Sequence, residues 1–236
     1  MKPFFIKLLR AFKLMFGRYK KVNFNDLTHV GPVNPSFGAY CGTSVDRYYI
    51  EKFLSENKQH IHGRILEIAD NRYSRMYADM SAAEKPILET LHYDGTDGPA
   101  TIIGDLTNIG SLPGNRYDCF VCTQTYNFIF DVQKAIEGTY FLLKEGGTVL
   151  ATVAGISQIS RYDMDRWGDY WRFTDQSIKR LFENAGFSKV EVRIMGNCLA
   201  ASAFLQGIVI DDFPQKSLLD ETDIDYQVTL GVTAIK

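Results

Sequence analysis

The chain has 236 residues, 45% of them hydrophobic and 23% charged, which fits one α/β domain of ordinary globular composition. The formal net charge is −2, but residues 1–21 carry seven bases and no acid, which leaves 19 bases against 28 acids, a net charge of −9, in the remainder. We therefore expect no nucleic-acid partner, because such binding depends on basic contacts to phosphate, and no run of 18 apolar residues predicts a transmembrane helix.

The first 21 residues have the pattern of a basic amphipathic helix. Between residues 2 and 17, Phe, Leu and Met side chains recur on one face at helical spacing, and Lys and Arg lie on the other face. This pattern is typical of a helix that lies on a membrane surface. The alternative is a helix packed against the domain or a second subunit. We treat residues 1–21 as a separate segment and residues 22–236 as a single domain.

The rest of the chain alternates strands with helices, which favours a mostly parallel sheet. The predicted strands are 64–69, 86–94, 100–104, 117–123, 148–153, 189–194 and 228–235. The predicted helices are 45–60, 72–83, 131–143, 175–185 and 199–210, and residues 144–147 form a turn. Residues 155–173 break the alternation.

The four cysteines do not suggest a disulfide framework. Cys119 and Cys122 have the spacing of a redox or zinc pair, but they lie in an apolar run in which residues three apart face opposite sides of a strand. We interpret them as small buried hydrophobes. A reducing, cytoplasmic compartment follows from this reading, with a peripheral position on the inner face of the membrane if residues 1–21 bind there.

The first strand and the turn after it, residues 63–71, are the centre of the pattern. Glu67 lies inside the apolar run, and a buried carboxylate needs a partner. In open α/β sheets ligands bind beyond the carboxyl ends of the strands, usually at a glycine-rich turn. Here the turn reads Ala69-Asp70-Asn71. The next two strands end on Asp94 and Asp105, and an acid 24 residues after Asp70 can accept both ribose hydroxyls of a nucleoside.

Taken together, residues 45–235 resemble the class I S-adenosylmethionine-dependent methyltransferases. The marks are the two strand-ending acids, the Leu-Lys-Glu-Gly-Gly-Thr turn and the Thr-Asp-Gln-Ser-Ile…Phe-Glu-Asn-Ala-Gly-Phe helix. Residues 155–174 more narrowly resemble methyltransferase-like domains found beside glycosyltransferases in bacterial polysaccharide biosynthesis. The resemblance implies a Rossmann-like α/β fold: a seven-stranded, mostly parallel sheet with an antiparallel last strand and helices on both faces.

The resemblance also implies S-adenosylmethionine as cofactor. Asp94 would meet the ribose, Asp105 with Leu106 the adenine, and the turn at 69–71 the methionine part. The family's acid-x-Gly-x-Gly turn is altered here, so that a Cβ at residue 69 narrows the approach, while Asp70 could accept from the cofactor's ammonium group. The candidate cofactor-binding residues are Glu67, Ala69, Asp70, Asn71, Asp94, Asp105, Leu106, Thr123 and Gln124.

The acceptor side is predicted in the loop after the fifth strand. Carboxylates and arginines there could bind sugar hydroxyls, and aromatic rings could cover the C–H faces of a sugar. The candidate catalytic residues are Asp163, Asp165 and His29, and the candidate substrate-binding residues are Arg47, Tyr162, Arg166, Trp167, Tyr170 and Trp171. Alternatively, the tryptophans pin a lid that Arg–Asp pairs stabilise, and His29 is a solvated loop residue. The four histidines have no metal-ligand spacing.

The leading hypothesis is a methyltransferase that O-methylates a sugar of a bacterial surface glycan or its lipid-linked precursor, with a glycosyltransferase as possible partner. The altered turn motivates an alternative, a non-catalytic module that docks a glycosyltransferase or the membrane. Nicotinamide-dependent reduction is disfavoured, because no Gly-x-Gly-x-x-Gly follows any predicted strand.

Overall fold

Seven strands form a single sheet in a computed structural model that describes residues 29–94 and 100–236. The strands are β1 Arg64–Ile68, β2 Ile87–His92, β3 Ile102–Ile103, β4 Tyr117–Thr123, β5 Leu143–Ala154, β6 Lys189–Met195 and β7 Thr229–Ile235. Their order is β3-β2-β1-β4-β5-β7-β6. Strands β1 to β5 pair in parallel, and β7 runs antiparallel to β5 and β6. The predicted sheet is confirmed, and the helix predicted in residues 1–21 lies outside the described residues.

Helices cover both faces of this sheet, as predicted. They are α1 Val45–Glu56, α2 Arg72–Tyr77, α3 Val132–Leu142, α4 Arg161–Met164, α5 Asp175–Asn184 and α6 Cys198–Leu205. One buried cluster contains the apolar sides of α3 and α5, and a second contains those of α1 and α6. Cys122 belongs to the first cluster and Cys119 to the second, and both thiols are free. Burial raises the pKa of each thiol, to about 12 for Cys122, which fits inert core residues.

Three helices end several residues earlier than the sequence predicts. Helix α1 stops at Glu56 rather than near residue 60, because Lys58–His60 form a separate 3₁₀ turn. Helix α2 stops at Tyr77 rather than near residue 83, and the carboxylate of Asp79 accepts hydrogen bonds from the backbone N–H and the hydroxyl of Ser81. Such a local turn competes with helix formation. Helix α6 stops at Leu205, two residues before Gly207, whose φ of +65° disfavours further helix. The predicted turn at 144–147 lies within β5, as an irregularity in its pairing with β4.

Gly138 allows α3 to approach the segment that follows β3. A Cβ at this position would lie 2.0 Å from the carbonyl oxygen of Leu106. A separation below 3.0 Å is a steric clash, which requires the surrounding atoms to move. The atom concerned is backbone, so the strain cannot be relieved by a side-chain rotation. Because Gly138 has no side chain, the segment carrying Asp105 and Leu106 can pack directly against α3.

We expect Gly138→Ala to lower the free energy of unfolding by about 1–3 kcal/mol through overpacking. The sign is informative, because alanine is ordinarily favoured over glycine in a helix by about 1 kcal/mol. Urea denaturation measures the change. Gly31→Ala is the control, since no atom lies within 4 Å of its added Cβ. Unchanged or increased stability of Gly138→Ala would contradict the role of this close approach.

Candidate functional site

The carboxyl ends of β1, β2, β3 and β4 border a cleft of about 720 Å³. This edge of a parallel sheet, beside the point where the strand order reverses, is where ligands bind in open α/β folds. Many predicted site residues line it: Arg47, Glu67, Ala69, Asp70, Asp94, Asp105, Leu106, Thr123, Gln124, Asp163, Arg166, Trp167 and Tyr170. The structure thus brings most of the predicted cofactor residues together with part of the predicted acceptor set.

Five predicted residues do not line the cleft: His29, Asn71, Tyr162, Asp165 and Trp171. His29 is an exposed loop residue, and Asn71 immediately precedes α2. The exposed carboxylate of Asp165 lies 3.9 Å from the guanidinium of Arg161. These positions give no direct contact with a ligand in the cleft.

Trp171 and Tyr162 have local structural partners. The indole N–H of Trp171 donates to the backbone oxygens of Ile129 and Phe130, at 3.1 and 3.2 Å. The guanidinium carbon of Arg166 lies 3.5 Å from the centre of the Tyr162 ring, a cation–π contact. Trp171 therefore ties the loop after β5 to the loop after β4, which is the lid-pinning alternative for this residue.

The buried carboxylate of Glu67 is bound to the first turn of α2. Its Oε1 accepts from the backbone N–H of Tyr73 at 3.0 Å, and its Oε2 accepts from the backbone N–H and hydroxyl of Ser74 at 2.7 and 2.6 Å. Burial raises the pKa of Glu67, and the hydrogen bonds from Ser74 and Tyr73 oppose that rise. Both oxygens are thus used in joining β1 to α2, and the residue supports the cleft from beneath.

The turn after β1 has the backbone shape of a glycine turn although it contains none. Ala69 has a φ of +65°, and the backbone N–H of Asp70 donates to the carbonyl of Ile68 at 2.8 Å. The N–H of Ala69 donates to Leu91 on β2 at 3.1 Å, and its carbonyl oxygen contacts Nε2 of His92. A left-handed alanine costs roughly 1–2 kcal/mol. Hydrogen bonds to β2 hold the turn in this conformation.

The acidic residues at the strand ends differ in their own partners. The carboxylate of Asp70 accepts from the backbone N–H of Arg72 at 3.0 Å. One oxygen of Asp105 accepts from the N–H and the hydroxyl of Thr107, both at 2.8 Å, which shapes the loop after β3. Asp94 follows β2 and lines the cleft as well. Three acids therefore border the cleft from three successive strands.

A cationic cluster borders the turn from the side of α1. Arg47 donates to the hydroxyl of Tyr73, and the guanidinium carbons of Arg47 and Arg72 each lie 5.6 Å from the centre of the Tyr73 ring. Arg72 also pairs with Glu51 at 3.1 Å. The pairing directs Arg72 toward α1, and both Arg47 and Arg72 line the cleft as cations that can face an anionic group near the turn.

Asn127 joins the loop after β4 to the loop after β5. This side chain is 3% exposed. Its Oδ1 accepts from the backbone N–H of Ala154 at 3.1 Å, and its Nδ2 donates to Gln124 at 3.1 Å. Its backbone carbonyl accepts from the N–H groups of Tyr170 and Trp171, at 2.9 and 3.2 Å. The loop carrying the acceptor candidates is thereby fixed to the carboxyl end of β4.

Two aspartates of that loop have opposite electrostatic environments. Asp169 forms a bidentate pair with Arg172, at 2.6 and 2.9 Å, and accepts from the N–H of Ser160 at 2.9 Å. Burial opposes ionisation of Asp169, but Arg172 outweighs it and holds the pKa below its ordinary value. Asp163 accepts from the hydroxyl of Ser160, and burial raises its pKa. Asp163 is therefore the more basic carboxylate of the two.

Several cleft residues are not among the predicted site residues. They include Arg72, Tyr73, His92, Tyr93, Thr107, Phe128 and Phe130. His92 and Tyr93 precede Asp94 directly, and residues 128–131 follow β4. Their location near the end of a strand is a sequence signal by which they could have been predicted. The contacts of Arg72 and Tyr73 depend on tertiary packing and leave no such signal.

The part of the chain that the structure describes has neither a metal site nor a membrane-spanning helix. Residues 29–94 and 100–236 contain no group of His, Cys, Asp or Glu side chains arranged to hold a metal ion. Among those same residues, no helix has the length and apolar character needed to cross a bilayer.

Comparison with known proteins supports the fold. No protein-family model and no curated protein matches the chain. A SAM-dependent methyltransferase from Archaeoglobus fulgidus superposes with a TM-score of 0.52 at 12% identity, over 80% of this chain and 94% of that one. A methyltransferase from Mesorhizobium loti gives 0.52 at 15%, covering 82% and 98%. A possible exported protein from Bordetella parapertussis gives 0.54 at 15%, covering 84% and 71%. With its strand order, the chain therefore has the Rossmann-like fold of the class I methyltransferases.

Proposed function

We propose that this protein is an S-adenosylmethionine-dependent methyltransferase that binds its cofactor over β1 and β2. The observation that carries the proposal is the meeting of three acids, Asp70, Asp94 and Asp105, at one cleft at the carboxyl edge of the sheet. The neighbours from A. fulgidus and M. loti, which are described as methyltransferases dependent on this cofactor, support it.

The residues of the cleft fit the chemical groups of this cofactor. The volume of the cleft, about 720 Å³, is within the usual range for small-molecule sites. Asp94 would accept from the ribose hydroxyls, Asp105 would face the adenine, and Asp70 would accept from the ammonium group. Arg47 would bind the carboxylate of the methionine part. The backbone of Ala69 already has the left-handed conformation of a glycine, so only its methyl group adds bulk beside the cofactor.

When bound, the cofactor supplies an electrophilic methyl group on a sulfonium. The contribution of the protein is to align an acceptor with that methyl group and to exclude water. Phe130 and Tyr170 lie at the rim of the cleft with ring centres 5.4 Å apart, and both are partly exposed. Rings in this position would cover a bound ligand.

For the acceptor we propose a sugar hydroxyl of a surface glycan or of its lipid-linked precursor. Trp167, Tyr170 and Arg166 line the cleft on the side of the loop after β5. Aromatic faces and a charged hydrogen-bond donor are groups that suit a sugar ring. A glycosyltransferase partner and a membrane-bound acceptor are consistent with this substrate class, and both remain proposals.

Cofactor binding tests the central proposal. We expect isothermal titration with S-adenosylmethionine to show binding, and Asp94→Asn to weaken it by about 10- to 150-fold, the equivalent of losing about 1.5–3 kcal/mol of charged hydrogen bonding. Asp225→Asn, at an exposed acid that does not line the cleft, is the control and should bind normally. Absence of heat with the wild-type protein at millimolar ligand would overturn the enzyme proposal and favour a non-catalytic docking module.

The altered turn gives a second prediction. We expect Ala69→Gly to raise the free energy of unfolding by about 0.5–1 kcal/mol, because relief of the left-handed strain exceeds the added entropy of the unfolded chain. Binding of S-adenosylmethionine should be unchanged or tighter. Ala83→Gly is the control: this residue is exposed and lacks a positive φ, so the same substitution should leave stability unchanged or lower it. Loss of stability in Ala69→Gly would show that the turn needs the Cβ.

The membrane proposal for residues 1–21 has its own test. Deletion of this segment should move the protein from the membrane fraction to the soluble fraction of a cell lysate, because apolar burial and basic contacts to lipid would both be lost. Replacement of its seven bases by glutamine should give an intermediate distribution. If the deleted protein stays in the membrane fraction, the segment is not the anchor.

A further inference from the structure

A second, smaller cavity adjoins the cleft at the carboxyl end of β5 and the start of β7. Its volume is about 130 Å³. Ala154 and Thr229 line it from the sheet, and residues 157–172 border it from the loop after β5. Phe37 and Phe204 close it from the other side, with their rings stacked at 5.5 Å. The cavity is therefore lined by segments that are far apart in the sequence.

Three residues line both the cleft and the cavity: Gln124, Phe128 and Asp163. A group that passes from a ligand in one space to a ligand in the other has to pass beside these side chains. Asp163 is the carboxylate among them. The boundary between the two spaces thus carries the basic aspartate of the loop.

The cavity offers both donors and acceptors, with aromatic faces beside them. Asp46 and Asp163 are acceptors, and the charge of Asp169 is neutralised by Arg172. Thr229 is fully buried, and its hydroxyl has no hydrogen-bond partner within residues 29–94 and 100–236. An unsatisfied buried hydroxyl costs about 1–3 kcal/mol of stability, and a hydrogen bond with a ligand hydroxyl can offset that cost. A protonated amine as ligand would bind only to the acceptors of the cavity. A hydroxylated ring would bind to its donors and its acceptors.

We propose that this cavity is the acceptor pocket, that it takes one hydroxylated six-membered ring such as a pyranose, and that Asp163 is the base at its boundary. Its volume is slightly below the roughly 150 Å³ of a cavity that admits benzene, so a pyranose would enter it only in part and would extend into the adjoining cleft. This inference rests on the proposed function, because it places the acceptor beside the cofactor cleft.

The chemistry at the boundary is a simple substitution. The acceptor oxygen forms a bond to the methyl carbon while the bond from that carbon to sulfur breaks, and the bonding pair stays on the sulfur as a neutral thioether. The hydroxyl proton goes to the carboxylate of Asp163. The hydroxyl of Ser160 donates to Asp163 and orients it.

The threonines of β5 and β7 provide a matched test. Thr229 and Thr152 are both fully buried with an unpartnered hydroxyl in the described part of the chain, but only Thr229 is among the cavity-lining residues. Valine has nearly the same shape, so both Thr→Val variants should fold with unchanged or raised melting temperature. The probes are methyl glycosides of glucose, galactose and mannose, studied by saturation-transfer NMR with and without S-adenosylhomocysteine.

We expect saturation transfer to at least one glycoside, weakening by about tenfold in Thr229→Val and remaining unchanged in Thr152→Val. The acceptor-pocket proposal would be overturned by any of three results. These are equal effects of the two variants, no saturation transfer to any glycoside, or stronger transfer to ethanolamine. Titration of S-adenosylhomocysteine separates the two proposals: its failure to bind refutes the cofactor proposal, while the glycoside measurement without it still tests the cavity. Asp163→Asn keeps an acceptor oxygen but no basic carboxylate, so it should weaken glycoside binding at most about tenfold and should lose the methylated product in mass spectrometry. A wild-type product yield would refute the base.

Discussion

The hydrogen bonds from the start of α2 to the carboxylate of Glu67 are the constraint on which the proposed cofactor side of the molecule depends. They join the end of β1 to a helix of only six residues, too short to be stable by itself. With the helix fixed on one side and Leu91 of β2 bonded to Ala69 on the other, the intervening turn has little freedom. The surrounding bonds can then hold an alanine in a conformation that usually requires glycine.

The proposed acceptor side depends on a different kind of constraint, a polar side chain buried between two loops. Asn127 bonds to the end of β5 and to Gln124, and its backbone receives the loop that carries Tyr170. Arg172 then closes that loop on itself, donating to the backbone oxygens of Ser157 and Gln158 at 3.3 and 2.6 Å. Loops of 15 or more residues are often mobile, but these bonds give this one a defined shape against the sheet.

Much of the fold could be predicted from the sequence, because alternating strands and helices and acids at strand ends are local signals. The limits of β4 follow from an apolar run, and the start of α5 at Asp175 follows from the capping residue Thr174. The site was less predictable. That Glu67 bonds to a helix, that Trp171 pins two loops, and that Phe37 closes a cavity depend on contacts between distant segments. A sequence pattern indicates residue types, but not which side of a loop each side chain faces.

The division of roles between Asp163 and Asp169 argues that the loop after β5 is more than a cover. If its acids served only to stabilise the loop, each would be expected to have a cationic partner, as Asp169 has in Arg172. Asp163 instead forms no ion pair within the described residues. It accepts from the hydroxyl of Ser160, and burial raises its pKa although the charge of Arg166 opposes the rise. Such a half-buried, incompletely compensated carboxylate reduces stability. In the proposed reaction, its position at the boundary of the cleft and the smaller cavity is where a proton acceptor is needed.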